Sequence, residues 1–208
     1  MIPPRPFFYR NAFARIILLT LEEALSRDVL NALLYSAGLK RYINRLPPAD
    51  FEQGVPAQDI RTLFHTLGQL HDTQDTHQLA CACGEAIARY LLTESWTAGA
   101  TPPALTRHYS AEQRKTSGLQ IMNDLLGEFS PRLRARVISQ ADGFLFVLED
   151  SRGAAIEAPQ DDPIYHLMLG FLMRGMSIFL QDGREFRGRT LNLPENRIGL
   201  FIYHTPAA

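Results

Sequence analysis

The sequence predicts an α+β domain in which helices pack on an antiparallel sheet made of two hairpins that flank one buried helix. Three observations support this prediction. The first two thirds of the chain show helical apolar spacing, the last third shows two hairpin patterns, and an almost uniformly apolar segment separates the hairpins. At 208 residues the chain has the length of one larger domain, so residues 1–208 are treated as a single unit.

The helices are predicted from apolar spacing and from the residues that begin and end each segment. The first, NAFARIILLTLEEAL, is apolar around most of its girth, and the second stops at a Gly-Leu turn before a Pro-Pro pair. Thr76 is a candidate cap for the fourth helix, and Ser110 with Gln113 forms a capping box for the fifth. The third helix follows Pro56, and its apolar stripe consists of Ile60, Leu63, Phe64, Leu67 and Leu70.

The end of the chain changes to the strand period. Arg134–Glu149 is predicted to form a hairpin around Asp142-Gly143, a strong turn signal. A second hairpin is predicted from Arg184–Leu193 and Arg197–His204, with a turn of Pro194, Glu195 and Asn196. Between the hairpins, DDPIYHLMLGFLMRGMSIFLQDG is a helix without a polar face. Such a helix must be enclosed by protein, so we expect this helix and the first one to form the centre of the molecule.

The amino-acid composition limits which kinds of binding partner and which cellular compartment we expect. With 21 basic and 22 acidic residues, the chain gives no electrostatic reason to expect a nucleic acid, and its near-zero net charge favours self-association. Two cysteines exclude a disulfide framework and favour a reducing compartment. The start lacks the apolar region of a secretory signal, and the best candidate membrane span, Ile164–Leu180, is short and carries His166 and Arg174. We therefore expect a cytoplasmic protein without an integral membrane segment.

The order of elements resembles a known family. The opening AFARIILLTLEEAL, the SAGL followed by a Tyr, LPP and an acid, the hairpin-helix-hairpin end and the closing strand with its TP tail resemble the 4-vinyl reductase (4VR) domain family. More distantly, they resemble the small TRAPP vesicle-tethering subunits and the sensor domains of aromatic-responsive activators. This resemblance covers nearly the whole chain. It implies a homodimer and an apolar channel for a small hydrophobic ligand, such as an acyl chain, an aromatic or a tetrapyrrole-like molecule.

The chain departs from these relatives at their metal ligands. Cysteines that hold zinc in the aromatic sensors have no counterpart in DSRGAAIEAPQDDP or in PENRIGLF. Cys81 and Cys83 are two residues apart on a helix, so they point to nearly opposite sides and cannot chelate one ion together. The HDTQDTH stretch could hold a weak divalent ion, although a solvated loop is the simpler interpretation. We expect no metal and no cofactor.

Two further groups of residues have a functional and a structural interpretation. His166 could orient a ligand as a polar group in an apolar pocket, or it could be a core histidine bonded to a carbonyl. Gly170, one turn later, would leave room for a ligand or for close helix packing, and we expect its replacement by alanine to be neutral or slightly stabilising. Arginines alternate on two strands, where they could bind a carboxylate or phosphate or face solvent: Arg132, Arg134, Arg136, Arg187 and Arg189.

The sequence contains no nucleophile motif, phosphate loop or dinucleotide fingerprint, so binding is expected rather than catalysis. We expect a sensor or carrier that encloses a small hydrophobic molecule in an apolar cavity. Two alternatives stay open: an accessory or enzyme in the vinyl reduction of a bacteriochlorophyll precursor, and a tethering or scaffold subunit. The predicted ligand-binding residues are Ile17, Leu21, Cys83, Ile87, Met122, Phe144, Phe146, His166, Leu169, Gly170 and Met173.

Overall fold

A computed structural model of the chain describes residues 7–95, 104, 106–129, 133–150, 161–181, 185–194 and 197–204. Its helices are α1 (Asn11–Leu25), α2 (Arg27–Ser36), α3 (Ala57–Leu70), α4 (Thr73–Arg89), α5 (Ala111–Leu126) and α6 (Pro163–Leu180). Its strands are β1 (Phe8–Arg10), β2 (Gln53–Pro56), β3 (Leu133–Ser139), β4 (Gly143–Asp150), β5 (Phe186–Leu193) and β6 (Arg197–His204). The predicted α+β class is confirmed.

The two predicted hairpins form one four-stranded antiparallel sheet in the order β3-β4-β6-β5. They meet through β4 and β6, where Phe146 lies opposite Leu200. Residues of the inner face, such as Phe144 and Ile202, belong to the main hydrophobic core together with the helices. Arg132, Arg184, the turn residues Glu195 and Asn196, and residues 151–160 lie outside the described residues.

The helix α6 is enclosed as its sequence predicts. Its residues 167–172 are all buried, so every side of the helix is covered. Its length and composition would let it cross a membrane, but 61% of it is buried inside the protein, as expected of a core helix. The main partner of α6 is α4 rather than α1. The helix α1 packs on the other side of α4, where the Cys83 thiol lies 3.8 Å from the Ile17 carbonyl oxygen.

Capping residues in the sequence predict the start of one helix correctly and the start of another incorrectly. The capping box of Ser110 and Gln113 is present at the start of α5. Thr76 is not the cap of α4, because the carboxylate of Asp72 accepts the Gln74 backbone N–H and begins the helix one turn earlier. Most of the HDTQDTH stretch is therefore helix rather than loop. The small sheet of β1 and β2, which pairs Tyr9 with Val55, was not predicted.

The apolar spacing offers two surfaces for the expected dimer contact, one along the first helix and one around Leu63, Phe64 and Leu67, and the second of these is wrong. These three side chains are at most 2% exposed within a single chain, because α3 uses them to pack on the core. They are unavailable to a second copy. Leu70, the last residue of the predicted stripe, is 61% exposed instead, since it lies at the end of α3 beyond the core.

Candidate functional site

The structure brings the predicted ligand-binding residues together in the main core. They come from α1, α4, α5, β4 and α6, and all of them except His166 and Met173 are buried. Three clefts that described residues form are lined by none of them. Whether they contact a ligand stays a prediction, and their observed contacts are with one another and with neighbouring core side chains.

Close packing is the role that the structure supports for Gly170. A Cβ atom there would overlap the backbone carbonyl oxygen of Cys81 on α4. On α4, a Cβ atom at Gly84 would overlap the carbonyl oxygen of Leu167 on α6. Each glycine therefore lets the backbone of the opposite helix approach, as a small residue does at a close helix crossing. The expectation that alanine is harmless at Gly170 is wrong for this reason.

The contact between α5 and α6 is also tightly packed, although side chains rather than backbone atoms form it. A Cβ atom at Gly118 on α5 would lie 2.9 Å from Cβ of Phe179, which is tighter than normal packing allows. The side chain of Met122 occupies the space in front of Gly175 on α6. Met122 and Gly170, two of the predicted ligand-binding residues, thus belong to tightly packed helix crossings.

His166 has a partner that the sequence did not predict. Its ring stacks on the ring of His77 from α4, with centroids 3.7 Å apart and planes 9° from parallel. His77 Nε2 lies 3.2 Å from the carbonyl oxygen of Asp161, which places the pair at the beginning of α6. Burial, together with the nearby His77, lowers the pKa of His166 to about 4. His166 is therefore neutral at pH 7 and stacks on His77 without a charge of its own.

A polar cleft of about 450 Å³ lies beside this histidine pair, between α3 and the first residues of α6. We call it the α3–α6 cleft. The residues of one wall are three and four positions apart along α3, so they lie on a single face of that helix. The other wall is the start of α6. The lining residues are Gln58, Arg61, Thr62, His65, Asp161, Asp162 and Pro163.

Charges of both signs face the α3–α6 cleft. Arg61 is exposed, and no described carboxylate forms an ion pair with it. Asp162 caps α6 by accepting the Ile164 N–H at 3.0 Å, whereas no described cation forms an ion pair with the carboxylate of Asp161. Arg61 and Asp162 both act on the buried phenol of Tyr165, whose pKa desolvation raises to about 12. Both charges therefore lie within electrostatic range of the same phenol, and both residues line the cleft.

The sequence missed this cleft because its two walls are about a hundred positions apart. The available signals were the polar face of α3, opposite its apolar stripe, and the acidic pair before Pro163. Neither signal shows that the two segments meet. Among the described residues no group of three or more histidines, cysteines or carboxylates could hold a metal ion. Cys81 and Cys83 point to different neighbours, Glu85 and Ile17, as their spacing predicts.

Comparison with known proteins identifies the fold. No family model and no curated protein matches the sequence. Solved structures do match over nearly the whole chain. The Fe(II) unliganded H-NOX protein from K. algicida is 11% identical with a TM-score of 0.61, covering 95% of this chain and 97% of that one.

This chain has the H-NOX fold. A variant of Tt H-NOX with one substitution is 14% identical with a TM-score of 0.55 and covers 96% of both chains. An oxygen-binding H-NOX domain related to soluble guanylate cyclases is 13% identical with a TM-score of 0.53, covering 94% of this chain and 95% of that one. At these identities the likeness defines the fold and leaves the ligand open.

These matches correct the family resemblance. The assignment to the 4VR domain family, with hydrocarbon binding as its keyword, is wrong, because the similar structures are H-NOX domains. The acyl chain or aromatic ligand expected from that family is wrong with it. The names of the similar structures speak of heme and of an oxygen complex, so of the expected ligands only the tetrapyrrole type has a counterpart there. The order of helices and hairpins indicated the wrong family because proteins with unrelated functions can share such an order.

Haem can be tested against the residues of this chain. Iron in haem proteins is commonly held by a histidine or a cysteine thiolate that faces the porphyrin. All six histidines lie among the described residues and none belongs to the buried core. His77 and His166 stack on each other, and His204 lies against the ring of Phe186, with centroids 4.3 Å apart. Burial raises the pKa of the Cys83 thiol, which disfavours the thiolate. These residues do not fit a haem held by histidine or cysteine.

Proposed function

We propose that this protein is a non-enzymatic sensor domain of the H-NOX fold that binds a small polar molecule in the α3–α6 cleft. The molecule would carry both a cationic and an anionic group. The observation on which the proposal rests is that Arg61 and Asp161, which lack described ion-pair partners, line the same cleft.

The fold supports sensing rather than catalysis. The likeness to H-NOX domains extends over 94% or more of this chain in the three structures compared above, and one of them is described as related to soluble guanylate cyclases. Burial raises the pKa of Cys81 to about 12 and raises that of Cys83 as well, so neither thiol is an activated nucleophile. A domain of this kind would bind its ligand without converting it chemically.

The cleft has the size and the chemistry for such a ligand. Its volume of about 450 Å³ lies within the range of small-molecule sites, which is roughly 300–1,000 Å³. Arg61 offers a planar guanidinium suited to a carboxylate, and Asp161 offers an oxygen acceptor for an ammonium group. The amide of Gln58 and the hydroxyl of Thr62 add neutral hydrogen-bonding groups on the α3 wall. A zwitterion would satisfy both charges at once, whereas a simple cation or anion would satisfy only one.

The experiment compares three classes of probe by thermal shift and isothermal titration calorimetry: free α-amino acids, their amine-only analogues and their acid-only analogues. We expect binding of at least one amino acid, and Arg61→Gln or Asp161→Asn should weaken it at least about tenfold, because a charge-assisted hydrogen bond is lost. The matched controls are Arg45→Gln and Glu23→Gln, two exposed charges outside the cleft. These controls should change affinity less than about twofold.

Two results would contradict the proposal. Equal loss of binding in the control variants would show that net charge, rather than the cleft, determines affinity. Absorption spectra after haem reconstitution provide the second test. A stoichiometric complex with a histidine-ligated haem spectrum that His166→Gln or His77→Gln abolishes would show a haem sensor instead.

A further inference from the structure

The strand β3 forms an edge of the four-stranded sheet, because it is the first strand in the order β3-β4-β6-β5. Its pairing with β4 is regular over seven residues, from Leu133 opposite Asp150 to Ser139 opposite Phe144, without a bulge. No described residue pairs with the other side of β3. This free side, which we call the β3 edge, therefore carries a row of unpaired backbone groups.

The register of the hairpin identifies which backbone groups point outward from the β3 edge. The Gln140 N–H donates to the Gly143 carbonyl oxygen at 2.9 Å, so these two residues form a hydrogen-bonded pair at the turn. Bonded and non-bonded pairs alternate along an antiparallel ladder, so every second residue of β3 directs its N–H and carbonyl groups away from β4. These residues are Leu133, Ala135, Val137 and Ser139. Each presents one donor and one acceptor to an added strand.

The side chains beside the β3 edge are only partly covered. Leu133, Ala135 and Val137 pack against the main core but are half-buried, so part of each stays open to solvent. On the opposite face of the sheet, Arg134 and Arg136 are exposed. An added strand would therefore meet apolar side chains on one face of the sheet and guanidinium groups on the other.

The charges on β3 select which strand can pair with its edge. Natural proteins protect exposed edges with prolines, bulges or charges, and β3 contains no proline, bulge or inward-facing charge, so its two arginines are its protection. A second copy of the chain is disfavoured, because antiparallel pairing of two β3 strands would place the arginines of one copy beside those of the other. Arg136 lies 4.0 Å from Glu149, whereas no described carboxylate forms an ion pair with Arg134. An acidic strand would complement this edge.

We propose that the β3 edge binds an extended segment of a partner protein as an additional antiparallel strand, in which apolar residues alternate with acidic ones. The backbone groups of Ala135 and Val137 would bond to the apolar residues of the segment, because residues directly opposite each other share a face of the sheet. The acidic residues would lie beside Arg134 and Arg136 on the other face. This contact uses the sheet alone, so it does not depend on a ligand in the α3–α6 cleft.

Fluorescence anisotropy with the full chain and a labelled peptide of alternating valine and glutamate tests this contact. We expect saturable binding that weakens with added salt. Arg134→Glu should reduce affinity at least about tenfold, because it replaces an attraction with a repulsion. Arg187→Glu is the matched control, because it reverses an exposed arginine on β5 at the opposite edge of the sheet, about 14 Å away. It should change affinity less than about twofold, since salt screens charges at that distance.

Changes to the backbone separate strand pairing from charge attraction alone. N-methylation of the valines blocks the peptide amides that would face β3, whereas N-methylation of the glutamates blocks amides that would face away. The first change should abolish binding, and the second should leave affinity within about twofold. In the protein, Ala135→Pro removes an outward N–H and leaves the ladder with β4 intact, so it should reduce affinity at least about tenfold.

Three outcomes would overturn the proposal. The first is no binding of the alternating peptide. The second is a loss of binding on methylation of the glutamates that equals or exceeds the loss on methylation of the valines. The third is a greater loss in Arg187→Glu than in Arg134→Glu. Circular dichroism verifies the fold of each variant, and the methylated peptides test the same hydrogen bonds with the unchanged protein.

Discussion

Replacement of Gly170 by alanine tests the close crossing of α4 and α6. The added Cβ atom would overlap the Cys81 carbonyl oxygen, which belongs to the α4 backbone and cannot rotate away. Alanine gains about 1 kcal/mol over glycine in helix propensity. Overpacking of a core costs about 1–3 kcal/mol, and a backbone obstacle places this site at the upper end. We therefore expect Gly170→Ala to lower the free energy of unfolding by about 2 kcal/mol.

Urea unfolding followed by far-ultraviolet circular dichroism measures this change. The midpoint should fall with an unchanged slope, and the melting temperature should fall by about 4–8 °C for a chain of this size. Gly68→Ala on α3 is the matched control. A Cβ atom there meets only the Thr76 side chain at an ordinary 3.7 Å, so this helical glycine should tolerate alanine and gain up to about 1 kcal/mol.

A second glycine at the same crossing separates the explanations. Gly84→Ala should also destabilise, because its Cβ atom would overlap the Leu167 carbonyl oxygen. Once one alanine has moved the helices apart, the second costs less, so the double variant with Gly170→Ala should lose less than the sum of the two. The reasoning is refuted if Gly170→Ala is as stable as the parent protein, or if it gains stability as Gly68→Ala does.

Three further predictions follow from single contacts. The pKa of His166 is lowered in the folded protein from 6.5 to about 4, so the unfolded chain binds more protons than the folded chain between these pH values. The contribution of His166 to stability should therefore be complete above pH 6.5 and fall as the pH approaches 4. His166→Gln should make the urea midpoint less dependent on pH over that range. Arg10 donates two hydrogen bonds to the Glu128 carboxylate, at 2.6 and 3.0 Å, and links β1 to the end of α5. Because both side chains are about a third exposed, solvent screens this ion pair, and a double-mutant cycle should give a coupling energy of about 1 kcal/mol or less. A coupling energy above roughly 3 kcal/mol would contradict a solvent-screened ion pair. Cys83 is 0% exposed and burial raises the pKa of Cys81 to about 12, so a thiol reagent at pH 8 should react rapidly with both only after unfolding; rapid labelling of the native protein would contradict the packing of α4.

The sequence by itself determined the type and order of most elements. The strand pattern on both sides of the Asp142-Gly143 turn predicts the first hairpin because the strand and turn residues lie close together in the sequence. The capping box at Ser110 and the burial of α6 are local in the same sense. The sequence also indicated close helix packing as one of two interpretations of Gly170, although it did not identify which helix would approach.

The tertiary structure decided which distant residues share a surface. The stacking of His77 on His166, the meeting of Arg61 with Asp161 in one cleft and the position of β3 at the edge of the sheet all depend on how α3, α4, α6 and the hairpins pack. It also decided that Gly170 serves helix packing. Apolar spacing shows which face of an element is buried but does not name the element that covers it, because many partners of similar shape bury the same area. That choice depends on the packing of the whole chain, and the fold and the candidate site depend on it as well.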